Sequence, residues 1–352
     1  MKVVFVVDEL NSALHTSASQ WCKSIGGEIY SASHFRSLKH LLVELISQKP
    51  ELVIFSWRQV LDLAFLSRRN LRLLTLLQSQ SRVLALVADH SGDDPARLAK
   101  DFRLYEKNIG LVTVTQRLYD FYSGCGIVPV GKLPDRPNCD LIREVRAESI
   151  QRCLNSLIWI GNSGWGKRQG YKDHKGLHSK FRPFFDRVIE LQPDIKGTVI
   201  DSAVQKISQR EVLRKLAKSE VLIVTSAAEG TGLPILEALG VGTNVISTNV
   251  GIAQDLSTVR VLPVDASPDN FLEAYINWRC QKFSPEASIL DFERYMSLVD
   301  ESWEELILNA NLHTFEGITN SSTLERVHLR IFELLFWNLK FLLRWKWVVG
   351  EK

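Results

Sequence analysis

From the amino terminus, short runs of apolar and β-branched residues alternate with longer amphipathic stretches. Lys2 to Val7, Glu28 to Ser31, Leu52 to Ser56, Val83 to Val87, Leu111 to Thr115 and Ile127 to Val130 are the short runs, and they predict strands. Between them, Ser12 to Ser24, Leu38 to Ser47, Leu61 to Gln78, Pro95 to Glu106 and Gln116 to Ser123 predict helices. Strands that are apolar throughout are covered on both faces, and when helices separate them they lie parallel, so this half predicts a doubly wound α/β domain.

A cluster of Pro, Gly and Asp from Gly131 to Asp140 breaks the pattern, and after the charged stretch Arg143 to Arg152 the alternation restarts. Leu157 to Ile160, Thr198 to Ile200, Val221 to Thr225, Asn244 to Thr248 and Val259 to Leu262 predict strands, with helices at Leu177 to Glu190 and Gln209 to Lys218. Ser208 with Glu211 three residues later is a capping-box signature for the second of these helices. The expectation is a first domain over 1–145, a second over 146–300 and closing helices over 301–352. Two doubly wound domains in tandem enclose a cleft, with ligands expected at the carboxyl ends of the strands.

A chain of 352 residues, 45% hydrophobic and 24% charged, has more apolar material than one core ordinarily holds, which agrees with two domains. The net charge of +3 is too small for a protein that grips a nucleic-acid backbone, so no nucleic acid is expected as partner. Cys22, Cys125, Cys139, Cys153 and Cys280 are odd in number and never at CxxC spacing, which predicts reduced thiols and neither a disulfide framework nor a zinc site. The run Met1 to Asp8 is too short for the apolar stretch of a signal peptide, and a cytoplasmic location is expected.

Candidate chemistry concentrates after the strand Val221 to Thr225, in Ala228-Glu229-Gly230-Thr231-Gly232-Leu233-Pro234-Ile235-Leu236-Glu237-Ala238-Leu239-Gly240. Strand, glycine loop and helix follow one another there. Pro234 suits a first helical turn, and Gly230 and Gly232 let backbone N–H groups come close to a ligand. Free N–H groups and a helix dipole at the end of a sheet form a site for phosphate. Glu229 and Glu237 would repel phosphate, so they read as acceptors for hydroxyls, Glu229 from a sugar and Glu237 from a diol such as ribose. An ordinary loop with solvated glutamates is the alternative.

These residues resemble the retaining family 4 glycosyltransferases, whose hallmark is two glutamates with seven residues between them in a Glu-Gly-x-Gly-Leu-Pro-x-x-Glu-Ala context. Glu229 and Glu237 fall on the two hallmark positions. The resemblance implies the GT-B fold: two Rossmann-like α/β domains facing a cleft. It implies that Glu229 contacts the donor sugar, that the backbone of Gly230, Thr231, Gly232 and Leu233 holds sugar and phosphate, and that Glu237 holds the ribose. It extends loosely over Leu157 to Trp278, the first domain being similar in architecture alone.

A second segment, Trp159-Ile160-Gly161-Asn162-Ser163-Gly164-Trp165-Gly166-Lys167-Arg168 with Asp173-His174-Lys175-Gly176-Leu177, opens the second domain. Lys175-Gly176 resembles the family's Lys-Gly, whose lysine neutralises the donor's pyrophosphate as charge develops on the leaving group. Where the family usually has an arginine this chain has Asn162, with Lys167 or Arg168 as substitutes. His90, after the strand Val83 to Val87, is similar in place to a family histidine near the donor sugar; a helix-capping histidine is the alternative. Asn11-Ser12-Ala13 stands where the family has a Gly-Gly loop, and no GxGxxG follows the first strand, which argues against a dinucleotide site.

By the same resemblance no protein nucleophile is expected, the donor's own phosphate assisting the acceptor hydroxyl. Asp93-Asp94 is adjacent rather than spaced as a metal clamp, so neither a metal nor another cofactor is expected. The carboxy-terminal segment carries Arg330, Glu333, Lys340 and Arg344 on one helical face, and Phe332, Leu335, Phe336, Leu339, Leu342 and Trp345 among the residues of the rest. It predicts an amphipathic helix over 330–349 that lies on an anionic membrane surface or packs back on the first domain. The expected function is a retaining transferase that moves a hexose from a nucleoside diphosphate sugar to a glycan or lipid-linked acceptor in surface polysaccharide synthesis. A non-catalytic GT-B protein that binds a glycan or stabilises a partner is the alternative.

Overall fold

A computed structural model describes residues 1–10, 12–56, 68–88, 109–167, 170–281 and 284–312. The first half contains β1 (Val3–Val7), β2 (Glu28–Ser31), β3 (Leu52–Phe55), β4 (Arg82–Val87), β5 (Gly110–Thr113) and β6 (Gly131–Lys132), joined in part by α1 (Ala13–Ile25), α2 (Leu38–Gln48), α3 (Arg68–Gln78) and α4 (Gln116–Gly124). The sheet order is β2-β1-β3-β4-β5-β6, with every pair parallel. Val3 to Val7 and Leu52 to Phe55 are buried along their whole length, as strands sandwiched between helices must be.

After α5 (Cys139–Ala147) the second half builds β7 (Ser156–Gly161), β8 (Lys196–Asp201), β9 (Val221–Val224), β10 (Asn244–Thr248) and β11 (Val259–Leu262) in the order β11-β10-β9-β7-β8, again parallel. Its helices are α6 (Arg182–Leu191), α7 (Gln209–Lys218), α8 (Leu233–Gly240) and α9 (Pro268–Cys280), followed by α10 (Pro285–Leu312). Ser208 Oγ accepts from the Glu211 N–H at 3.2 Å, the first half of the expected capping box and enough to start α7. On one face of this sheet Trp159, Phe181, Phe184 and Phe271 are almost fully buried together. Removing one such ring, as in Phe184→Ala, costs about 3–5 kcal/mol.

Three expectations need correction. Ile127 to Val130 is not a strand; the sheet edge is Gly131–Lys132, inside the segment read as a break, because pairing with Val112 and Thr113 of β5 selects it. The same segment ends in α5, capped by Asn138 Oδ1 accepting from Leu141 N at 3.2 Å. Leu177 to Glu190 is not one α-helix, since Leu177–Phe181 forms a π turn before α6 begins.

Helix α5, which straddles the expected 145/146 boundary, packs on the second half: Ile142 lies against Gly240, and Arg146 Nε donates to Gly240 O at 3.0 Å. Helix α10 returns the other way. Phe292 meets Gly240, whereas Leu306 meets Gly131 and the Trp303 ring lies 5.6 Å from that of Trp21 in α1. Arg136 covers Trp21 and pairs with Asp300 of the same helix. The residues 313–352, with the whole amphipathic segment 330–349, lie outside the described residues, as do 57–67 and 89–108, which hold the start of the expected helix Leu61 to Gln78 and the whole of Pro95 to Glu106. No described helix is long and apolar enough to cross a membrane.

Candidate functional site

In a doubly wound sheet the crevice opens where the strand order reverses. In the second sheet that point lies between β7 and β9, with Leu157 opposite Val221 and Ile158 opposite Leu222. The loop after β7 is 162–176 and the loop after β9 is 225–232, so the two sequence segments with candidate chemistry leave the sheet side by side.

They meet through side chains. Lys175 Nζ lies 2.6 Å from Glu229 Oε1, with the two side chains only 15% and 19% exposed. Ser226 Oγ donates to the same oxygen at 2.6 Å. Buried this far, a charged pair with an added hydroxyl is held firmly, and removal of either partner strands the other. Backbone contacts fix the geometry. Thr225 Oγ1 donates to Lys175 O at 2.7 Å and accepts from Trp159 Nε1 at 3.0 Å, and Ala227 N donates to His174 O at 2.9 Å. Gly176 completes the fit: its φ is +70°, and a Cβ there would sit 2.5 Å from Thr225 O, so both the conformation and the space require glycine.

The loop after β9 also faces the first half. A Cβ on Gly230 would collide with the carbonyl oxygen of Ala88, the residue that follows β4. Thr231 is buried, its hydroxyl accepting from Asp135 N at 3.3 Å and its carbonyl from Ile252 N at 3.0 Å. Arg117 of α4 reaches across to Asn249 O at 2.8 Å. His90, two residues beyond Ala88, and Arg168 lie outside the described residues, as does Asn11. Gly232 caps α8 in the left-handed conformation, Leu233 is the first residue of that helix, and Pro234 takes the second place.

Glu237 sits in α8, 8% exposed, where Gln209 Nε2 donates to its Oε1 at 2.9 Å. Burial pushes its carboxyl up to about 7, and the Gln209 bond pulls the other way without cancelling it. Asn162 keeps its side chain in its own turn, Oδ1 accepting from Gly164 N at 2.9 Å, and Lys167 is exposed. The beginning of this loop is anchored by Asp201, which accepts from Ser163 N at 2.9 Å, Ser163 Oγ at 2.6 Å and Ala203 N at 3.0 Å. Burial opposes the charge on Asp201, but these bonds outweigh it and hold the carboxyl below its usual range.

The structure thus brings Lys175 to Glu229 and leaves Asn162 and Lys167 without a described contact to either. Sequence reasoning missed Ser226, Gln209 and Trp165, whose ring lies 5.5 Å from Lys175 Nζ. Ser226 was accessible from its place three residues before Glu229; Gln209 and Trp165 join the site only through tertiary contacts. Among the described residues, no group of three or more His, Cys, Asp or Glu is placed to hold a metal ion.

Comparison with known proteins bears on the same region. Residues 203–262 match the family model described as Glycosyl transferases group 1, a segment that contains Glu229, Glu237 and Gln209 and stops short of Lys175. A search of curated protein sequences finds no match. Among solved structures, an α,α-trehalose-phosphate synthase (UDP-forming) from Burkholderia vietnamiensis is 11% identical, with 89% of this chain and 98% of that one covered at a TM-score of 0.58. Anabaena HepE in complex with UDP and glucose is 11% identical over 89% of this chain and 98% of that one, with a TM-score of 0.53. The GtfA/B complex is 14% identical over 80% of this chain, which spans 61% of that one, at a TM-score of 0.54. The chain has the GT-B fold, two parallel-sheet α/β domains, and its second domain carries a segment similar to the group 1 glycosyl transferases.

Proposed function

We propose that the protein transfers a sugar, of hexose type and with retention, from a nucleoside diphosphate sugar to a glycan or lipid-linked acceptor, without a bound metal or other cofactor. The observation that carries this reading is the pairing of Lys175 with Glu229 at the switch point of the second sheet. A cation for a diphosphate and a carboxylate for sugar hydroxyls are the two charges such a donor needs side by side. The glycosyl transferases group 1 match over 203–262 and the likeness to a protein solved with UDP and glucose support it.

In this reading the ammonium of Lys175 meets the diphosphate and stabilises the charge that accumulates on it as the glycosidic bond breaks. The amino end of α8 adds backbone N–H groups and dipole to the same anion. Glu229, released from Lys175, accepts from sugar hydroxyls, while Glu237 and its partner Gln209 take the ribose. His90 serves the donor sugar from the first domain. The segment 330–349 brings the protein to an anionic membrane surface, which suits a lipid-linked acceptor and a place in surface polysaccharide synthesis.

A thermal-shift and hydrolysis screen against nucleoside diphosphate sugars, with and without EDTA, tests this directly. One donor should stabilise the wild type, survive EDTA and lose its effect in Glu229→Ala. The engagement of Asn162 in its own turn favours the second reading, a non-catalytic glycan-binding or partner-stabilising protein. A protein that no donor stabilises and that hydrolyses none belongs to that second reading.

A further inference from the structure

We infer that Trp165 is a positioning residue for Lys175, holding its ammonium in place by a π face while the carboxylate of Glu229 is given over to the sugar. The inference rests on the donor-site reading and adds to it a residue outside the two motif segments' charged and glycine positions.

The geometry is specific. Lys175 Nζ lies 5.5 Å from the centre of the Trp165 ring, within the range of cation–π attraction. Trp165 is itself wedged: the His174 ring is 4.4 Å away and the Tyr171 ring 6.1 Å away and nearly parallel at 20°. Tyr171 and His174 are 5.3 Å apart, so the three rings close on one another. The loop that carries them is tied down at both ends, by Asp201 through Ser163 and by Ala227 and Thr225 through His174 and Lys175. A ring held on a braced loop has a fixed face, and that face is turned to the ammonium.

The chemistry explains why a ring serves where a second carboxylate would not. In the ligand-free protein Glu229 fixes Lys175 but also neutralises it. An ammonium on a flexible four-carbon stem that loses its carboxylate partner to a sugar has no built-in direction. A π face attracts the cation from one side only and contributes no negative charge. The ammonium therefore keeps its full charge, and the donors on its other side serve the oxygens of a diphosphate. Glu229 and the diphosphate exchange places on Lys175, and Trp165 is the partner that stays.

Two measurements on full-length protein test this, with Trp165→Phe as the variant that keeps a ring and Trp165→Leu and Trp165→Met as two that remove it. The first is acetylation of lysines by an N-hydroxysuccinimide ester in ligand-free protein, read at Lys175 by mass spectrometry against exposed Lys167. Lys175 labelling should stay low in the wild type and Trp165→Phe and rise several-fold in whichever of the Leu and Met variants folds. The second is binding of UDP, GDP and ADP against the corresponding monophosphates. Loss of the ring should weaken the preferred diphosphate about five- to tenfold more than its monophosphate, with Trp165→Phe closer to wild type. Equal labelling and an unchanged diphosphate preference in a folded ring-less variant would overturn the role of Trp165 while leaving the donor site intact. A wild type that binds none of the three diphosphates would instead remove the donor-site reading, and this role with it.

Discussion

Glu229 lies in the loop before α8 and Glu237 within that helix, close in sequence, yet the protein surrounds them differently. Glu229 stands at the mouth of the switch-point crevice with an ammonium and a hydroxyl on one oxygen. Glu237 is enclosed in α8 and the residues around it, with the neutral amide of Gln209 as its described partner, and burial pushes its carboxyl up to about 7. The same side chain is thus a paired ion at one position and a group poised near neutrality at the other. The contrast teaches that the two acids are not interchangeable: one has its charge balanced by the Lys175 ammonium, whereas burial disfavours the charge on the other and favours its protonated form.

The largest effect is expected from removing the charge that balances Glu229. Lys175→Met should lower turnover of the donor found in the screen by about 10²- to 10³-fold, the scale of losing one preorganised charge in a transition state. Steady-state donor consumption measures it. Lys175→Arg should recover little, because a planar guanidinium does not fit the place of a compact ammonium that is 15% exposed.

Next is the pH behaviour of Glu237. The folded protein holds this proton up to about pH 7, whereas the unfolded chain releases it near 4.5, so between those values the folded state binds more protons. Its contribution to stability is therefore complete below pH 4.5 and declines as the pH rises through 7. Glu237→Gln removes that decline, and at pH 8 should be more stable than wild type by roughly 3 kcal/mol, from about 1.4 kcal/mol per pH unit. Urea unfolding of the two proteins across pH 4 to 8 gives the difference.

Gln209→Leu sharpens the comparison from the other side. Without the amide, the Glu237 carboxyl should titrate still higher, and the lost bond should cost about 1 kcal/mol at pH 8. The same urea series reports both. Ser226→Ala is the mildest change, because Lys175 still holds Glu229 Oε1; it should cost about 0.5–1 kcal/mol in thermal unfolding.

Much of this arrangement was legible in the chain. Runs such as Val3 to Val7 and Val221 to Val224 are apolar throughout because both faces are covered, and that pattern is visible without any knowledge of neighbours. The placement of Lys175, Gly176, Glu229 and Gly230 at the strand ends was legible because it depends on local chain order: a lysine and a glycine after one strand, a glutamate and a glycine after another. Gly131–Lys132 was not, since a two-residue strand has no period and exists only because β5 offers partners. Nor was the π turn at Leu177–Phe181, which follows the positive φ of Gly176 and leads into Pro183. Trp165 and Gln209 escaped for another reason. One lies on Lys175 ten residues later in the same loop, and the other meets Glu237 across 28 residues, distances that no local pattern encodes.

A crystal structure of the wild type soaked with the donor that stabilises it tests the exchange of partners at Lys175 most directly. The predicted result is Lys175 Nζ on the diphosphate beneath Trp165, Glu229 on hydroxyls of the sugar, and the 2.6 Å contact between them opened. A donor bound elsewhere, or bound in the crevice with Lys175 still closed on Glu229, would contradict it.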